Sequence, residues 1–416
     1  MRASIGYGRL FPDLEPLQSD ERFLHGLGSL GGACDGGSCA IPLTEAATAA
    51  GWPFFGQFVA HDITADRSGL RHHVDSPELR NYRSPQLNLE CLYGDGPTGA
   101  PYLYDRGETG KLLLGMHDVI RNAQGTAIIG DPRNDSHLIV SQLHVAMLRF
   151  HNRIMDEVHD FGEARRLTCW HYQWIVLHEF LPELVGQPLM DDILTQGRRY
   201  YRPTNGAFIP LEFADAAYRY GHSQIRDAYR VNERSAPAPL FPDLIGFRAV
   251  PSSRVIDWRF FFDTPTERAR QRAKSIDERL PPSLIGLPVA ITGDVEIEAY
   301  HSLAVRDLQR GQAVGLPSGE TIARYMGVAP LTRDEVGLES HGWSGETPLW
   351  YYILREAAVR ADGERLGSVG GRIVAEVLVG LIDLDPGSFR SVDPSWRPTL
   401  PSATPAGFTI GDVLPT

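Results

Sequence analysis

Between Val140 and Val158 the apolar residues Val140, Leu143, Met147, Phe150, Ile154 and Val158 fall at steps of three and four, the spacing of one face of an amphipathic helix. The pattern predicts a helix from about His137 to His159, with Arg133 just before it. A second helix is expected from about Glu163 to Phe180, carrying Trp170, Trp174, Leu177 and Phe180 on one side and stopping at Leu181-Pro182. Helical signals begin near Pro53, and further helices are expected over Ile297 to Arg310, Gly319 to Tyr325 and Leu349 to Ala361. The apolar run Ile373 to Leu384 is interrupted by Glu376 and falls far short of the ~20 residues that span a bilayer, so it reads as a buried helix. Pro237 to Val255 reads as a long loop, and strand-like alternation is scarce. The expected class is mainly α, without a membrane span.

A net charge of -12 speaks against a general binder of nucleic acid or anionic membranes, both of which need an excess of Lys and Arg to neutralise phosphate. Small molecules are the expected partners. Met1 to Gly8 shows no basic segment leading into an apolar one, so a secretory leader is not expected and a cytoplasmic location is. Cys34, Cys39, Cys91 and Cys169 form neither a CxxC pair nor a dense framework. Free thiols are expected, with a Cys34 to Cys39 bridge across the glycine-rich loop as the alternative. Residues 1–50, rich in Gly, Pro and Leu, are expected to form an arm and loops on the body, residues 51–400 the catalytic domain, and 401–416 a tail.

Gly56-Gln57-Phe58-Val59-Ala60-His61-Asp62-Ile63-Thr64 gathers a glutamine, a histidine and an acid after an aromatic run. Alone, the cluster reads equally as a buried, hydrogen-bonded histidine. Further segments follow in order: Gly130-Asp131-Pro132-Arg133, then Ser141-Gln142-Leu143-His144 and Leu148-Arg149-Phe150-His151-Asn152-Arg153, then Tyr218-Arg219-Tyr220-Gly221-His222, then Gln309-Arg310 with Gly315-Leu316-Pro317. Taken together they resemble the animal-type haem peroxidases, the peroxidase-cyclooxygenase superfamily. The resemblance runs from about Phe11 to about Pro386, and Trp350-Tyr351-Tyr352 through Gly370 to Glu376 is similar to bacterial members. Because the matched segments are scattered from Gln57 to Arg310, the site must be assembled from distant parts of the chain, which argues for one domain.

The resemblance implies a single-domain fold with haem b sandwiched between helices, and a peroxidase that uses hydrogen peroxide to oxidise small phenolic or aromatic donors, with iodide or bromide as further candidates. His61 matches the distal acid-base, a role that a neutral histidine suits. Arg133 matches the distal arginine, a fixed cation for the charge that develops on the departing oxygen. Gln57 matches a glutamine that binds halide or water. His222 matches the proximal iron ligand, and Asp307 stands where the family usually has asparagine, so a carboxylate is expected behind His222 and a lower iron reduction potential with it. Arg219 and Arg310 match contacts to haem propionates, against the plain reading of surface arginines. Asp62 with Ser84, the Gln86 carbonyl, Asn88 and Glu90 matches a calcium loop, hard oxygens that suit Ca²⁺, although Asn88 replaces the usual aspartate and Glu90 a small hydroxyl residue.

Other departures bear on function. Ala60 and Ser136 occupy the positions from which mammalian members ester-link the haem, and neither can form the bond; Asp135 is one residue out of register. His137 is left open as a pocket residue. His144 and His151, like His171 and His178, are seven apart on helices, roughly 10 Å of rise and too far for one ion, so they are expected to be structural. A fatty-acid dioxygenase is one alternative, but its radical tyrosine lies three residues before the proximal histidine, where this chain has Arg219, with Tyr218 and Tyr220 out of register. A biosynthetic enzyme dedicated to one metabolite and a non-catalytic haem sensor or carrier are the others. Keeping both His61 and Arg133 weighs against the carrier.

Overall fold

Proline at position 53 sits in the first turn of a helix, where its missing N–H is no loss, and it opens the helix that runs through His61. The computed structural model describes residues 5–38, 43–65, 79–264, 267–403 and 407–415. Seven helices frame the site: α1 (Glu21–Gly28), α2 (Trp52–Ile63), α3 (Leu138–Val158), α4 (Phe161–Ile175), α5 (Leu303–Ala313), α6 (Leu349–Ala361) and α7 (Ser368–Leu384). Shorter helices and a few short strands make up the rest of the regular structure. Arg80–Asn81, Ile5–Gly8 and Ile209–Pro210 form one sheet, with antiparallel pairing on one side of the central strand and parallel on the other; Glu45–Ala49 pairs with Arg272–Lys274 and Ala228–Tyr229 with Ala238–Pro239. The mainly α expectation holds.

Helix α3 is the central element, buried along most of its length and packed on both α2 and α4. It begins where the periodicity places it, because the His137 side chain accepts the Ile139 N–H and caps the first turn. Phe55 and Phe58 of α2 are fully buried against Tyr172 of α4, and Phe55 also meets Phe180 edge to face. Burial of each such ring is worth about 1.5–3 kcal/mol, so this contact fixes how α2 lies in the body. The 3-10 turn Ala217–His222 packs against α2, α6 and α7.

Two expected boundaries differ. The helix predicted to stop at Leu181-Pro182 continues: α4 passes through a π turn at Val176–Phe180 into Leu181–Val185. The wider turn makes room for a proline ring that would clash with the preceding carbonyl in a regular helix. The helix expected over Ile297 to Arg310 is split, because Ser302 is extended and its hydroxyl accepts the Val305 N–H, so a 3-10 turn at Glu298–His301 ends and α5 begins afresh.

Residues 9–28 are tied to the body. Buried Glu212 accepts the N–H groups of Leu10 and Phe11, Arg9 donates to the Val314 and Gly315 carbonyls, and α1 packs on α5. Cys34, Cys91 and Cys169 are buried free thiols, as expected, whereas Cys39 lies outside the described residues. Among the described residues no helix is long and apolar enough to cross a membrane.

Candidate active site

Residues 54, 57, 60 and 61 share one face of α2, and that face forms a wall of a cavity of about 1430 Å³, counting its open mouth. The opposite end of the chain order contributes Phe213, Tyr218, Arg219, Tyr220 and His222, and the turn before α3 contributes Arg133, Ser136 and His137. Thus Gln57, Ala60, His61, Arg133, Ser136, His137, Arg219 and His222, spread over 166 positions, are brought to one place.

His61 is buried, and its Nδ1 lies 2.8 Å from the Asn134 Oδ1. An amide oxygen only accepts, so Nδ1 carries the proton and Nε2 keeps its lone pair toward the cavity. Burial first, then the charge of Arg133, pushes the His61 pKa down to about 4 against the Asn134 bond, leaving a neutral base at ordinary pH. Asn134 is held in turn by donating Nδ2 to His144 Nδ1 at 3.1 Å.

Arg133 is fixed from several directions. Nη2 donates to the carbonyls of Thr64 (2.6 Å) and His61 (2.9 Å) at the end of α2, and Nη2 and Nε meet Asp131 at 2.7 and 3.0 Å. The carbonyl end of a helix favours a cation there. Burial penalises the Asp131 charge, but Arg133 and Arg83 outweigh it and hold the carboxyl well below the usual range. Nη1 makes no hydrogen bond among the described residues and is available to the cavity.

On the other wall, His222 Nδ1 lies 2.6 Å from Oδ2 of fully buried Asp307. The second Asp307 oxygen takes Arg219 Nη1 at 2.9 Å, and Arg219 Nη2 takes Asp215 at 2.9 Å. The carboxylate behind His222 is therefore shared with a guanidinium. Asp215 also holds Arg310 Nε at 3.0 Å, and its own pKa is raised to about 6 by burial, against Arg219.

A family model described as animal haem peroxidase matches residues 72–335. The chain belongs to the animal haem peroxidase family. It is 27% identical to a chorion peroxidase of Drosophila melanogaster over 49% of this chain and 26% of that protein, and 24% identical to peroxidase skpo-1 of Caenorhabditis elegans over 81% of this chain and 59% of that protein. It spans less than two thirds of the length of these curated relatives. Among solved structures, peroxidase A from Dictyostelium discoideum superposes with a TM-score of 0.70 at 16% identity over 94% of this chain and 89% of that one. A fatty acid alpha-dioxygenase from Arabidopsis thaliana gives 0.62 at 14% identity over 92% and 72%. Such likeness shows the fold alone.

The family implies haem, and the cavity suits it: two imidazoles with their Nδ1 atoms engaged behind them, guanidiniums in the wall, and apolar sides from Phe54, Phe213, Leu240 and Leu303. Ala60 and Ser136 line the cavity and offer no carboxylate. Asp135 is turned away, held by two bonds from Arg121 at 2.6 and 2.7 Å.

Two further groups of residues were expected at the site. Arg219 is in the cavity wall, whereas Arg310 lies behind it, with Nε 3.0 Å from buried Asp215. Of the residues matched to a calcium loop, Asp62 bonds the backbone next to Asn88 and Glu90, while Ser84, Gln86, Asn88 and Glu90 are linked to one another. Asp62 accepts the Leu89 and Cys91 N–H groups at 3.0 and 3.4 Å, and Ser84 Oγ donates to Glu90 at 2.7 Å. Asn88 presents its amide nitrogen to Ser84 and Gln86 and its oxygen to the Glu90 N–H. Arg83 stands 3.5 Å from Glu90 and 2.5 Å from Asp131.

Asn134, Asp131, Arg83 and Asp215 escaped sequence reading. Asn134 follows Arg133 directly, yet an amide carries no titratable signal. His151 and His171 are structural as expected, bonded to Tyr93 and Gly110 and to Leu167, whereas His144 backs the His61 partner.

Proposed function

We propose that the chain is a peroxidase that holds haem b without a covalent link and uses hydrogen peroxide to oxidise small phenolic or aromatic donors. The observation that carries this reading is the pair of imidazoles, His61 and His222, in the wall of one cavity, each held from behind at Nδ1 with Nε2 left to the cavity. When bound, haem supplies the iron that peroxide oxidises and the donor reduces. His222 Nε2 would hold that iron, with Asp307 accepting from Nδ1, and Arg219 would be on hand for a carboxylate of the group. His61 Nε2 takes a proton from peroxide and returns it to the departing oxygen. Arg133, anchored through Asp131 and two backbone carbonyls, supplies fixed positive charge for that oxygen. Gln57 adds a polar contact for water or halide.

With no ester link and with a carboxylate behind His222, the oxidising power should suit phenols and iodide rather than chloride. Peroxide-dependent turnover on a phenol, iodide, chloride and a saturated fatty acid tests this. Fast phenol oxidation and negligible chlorination are expected. Peroxide-independent oxygenation of the fatty acid would favour the dioxygenase reading, and haem binding without turnover a carrier.

The same reading needs no calcium. Arg83 joins Glu90 to Asp131, and so ties the 84–90 loop to the Arg133 turn that a cation would otherwise brace. Exhaustive treatment with EGTA should leave the melting temperature and haem spectrum unchanged, while Arg83→Met lowers the melting temperature. Stoichiometric calcium in the purified protein, released with loss of stability, would reverse this.

A further inference from the structure

A second cavity, of about 1070 Å³ with its open mouth, shares no residue with the one that brings His61 and His222 together. Arg199, Arg360, Arg365 and Arg372 line it, and no Asp or Glu does. In a chain of net charge -12 that is a local reversal of sign. The four come from separate places: Arg199 follows the helix Gln187–Gln196, Arg360 lies in the last turn of α6, Arg365 in the link to α7 and Arg372 in the second turn of α7. Their acidic partners stand outside the lining and are stretched thin. Asp192 is shared between Arg199, at 2.9 Å, and Arg372, at 2.6 Å. Glu376, 3.3 Å from Arg372, is fully buried and also accepts the N–H groups of Arg199, Tyr200 and Tyr201. Glu335 takes Arg360. The Arg365 side chain has no hydrogen bond or ion pair among the described residues. It lies along Gly186, where an added Cβ would stand 3.3 Å from its Cδ and 3.4 Å from its Nε, and where a φ of +84° favours glycine in any case.

Guanidinium forks match the oxygens of carboxylate and phosphate groups. A planar carboxylate is filled by one fork, whereas donors arriving from four elements suit tetrahedral groups with oxygens on every side. Exposed pairs such as Arg199 with Asp192 and Arg360 with Glu335 contribute little and leave each Nε–H uncommitted, so a ligand of higher charge can share these arginines. The amino end of α7 borders the cavity but is closed by buried Glu356, which accepts the Val369 and Gly370 N–H groups, so the attraction comes from the side chains. We propose that this cavity binds a small molecule carrying two linked phosphate groups, at a site separate from the haem cavity.

Equilibrium dialysis of the haem-loaded protein against radiolabelled pyrophosphate at low ionic strength tests this. One site per chain is expected, with affinity falling as salt rises and with phosphate and succinate competing at least about 10-fold more weakly. Arg365→Gln should weaken pyrophosphate by about 10–100-fold, the range for a hydrogen bond to a charged group. Because no carboxylate depends on Arg365, the melting temperature and haem spectrum should not change. Arg234→Gln removes the same charge from an exposed position outside the cavity and should have less than about a 2-fold effect. Wild type that binds no pyrophosphate overturns the proposal. So does binding that Arg365→Gln leaves intact, which would place the anion in the haem cavity or elsewhere, and so does equal weakening by Arg365→Gln and Arg234→Gln, which would reduce the effect to overall charge. Succinate held as tightly as pyrophosphate would overturn the assignment to a diphosphate.

Discussion

Replacing His61 with alanine is expected to slow peroxide consumption by roughly 10²–10⁴-fold, the contribution of a positioned general acid-base group. Geometry isolates the effect to proton transfer. His61 touches Asn134 through Nδ1, and its carbonyl, one of the groups that hold Arg133, is retained by alanine. The variant should keep its haem spectrum and its cation while losing the shuttle. Asn134→Leu should give a smaller drop, because the imidazole stays but its tautomer is no longer dictated. The pH dependence follows from the sign of the shift. Burial and Arg133 lower the His61 pKa to about 4, so the basic form is fully present at neutral pH and is lost only as pH falls through about 4. Stopped-flow measurement of the peroxide step should show a flat rate constant through neutrality and an acid limb near that value. A His61→Ala protein that reacts at the wild-type rate would remove His61 from the mechanism.

What the sequence made legible was whatever leaves a periodic or chemically loud trace. Helix α3 was marked by its stripe of Val140, Leu143, Met147 and Phe150. His61, Arg133 and His222 were found because their residue types and spacing carry a resemblance, and the fold brings all three to one cavity. The supporting shell was not legible. Asn134 acts through one amide oxygen, Asp215 by attracting Arg219 and Arg310 into a buried cluster, and Arg83 by standing beside Glu90. Each depends on which way a side chain turns, which position alone does not dictate. The calcium ligands show the same limit from the other side. Glu90, in place of a small hydroxyl residue, brings a carboxylate that takes a bond from Ser84 and stands beside Arg83, which spacing alone does not show. The break at Ser302, just before α5, is local chemistry overriding apolar spacing.

His222→Ala should abolish the spectrum of a histidine-ligated haem altogether, and this is the largest effect expected of any substitution in the chain. A neutral imidazole with an acceptor behind it is the ligand that the wall provides, and alanine leaves no nitrogen in its place. Misfolding should not confuse the result. His222 is a cavity-wall residue with about a third of its side chain exposed, and Asp307 keeps its bond from Arg219 when the imidazole is gone, so no buried charge is stranded. The variant should therefore melt close to wild type while losing haem. Free imidazole, which fits the space vacated next to Asp307, should restore part of the Soret band. Asp307→Asn separates ligation from tuning: the haem should stay, because an amide oxygen still accepts the His222 Nδ1–H, while the reduction potential rises as the anionic acceptor is replaced by a neutral one. An unaltered Soret band in His222→Ala would assign the iron to another residue, and an unaltered potential in Asp307→Asn would show that Arg219 already cancels the carboxylate.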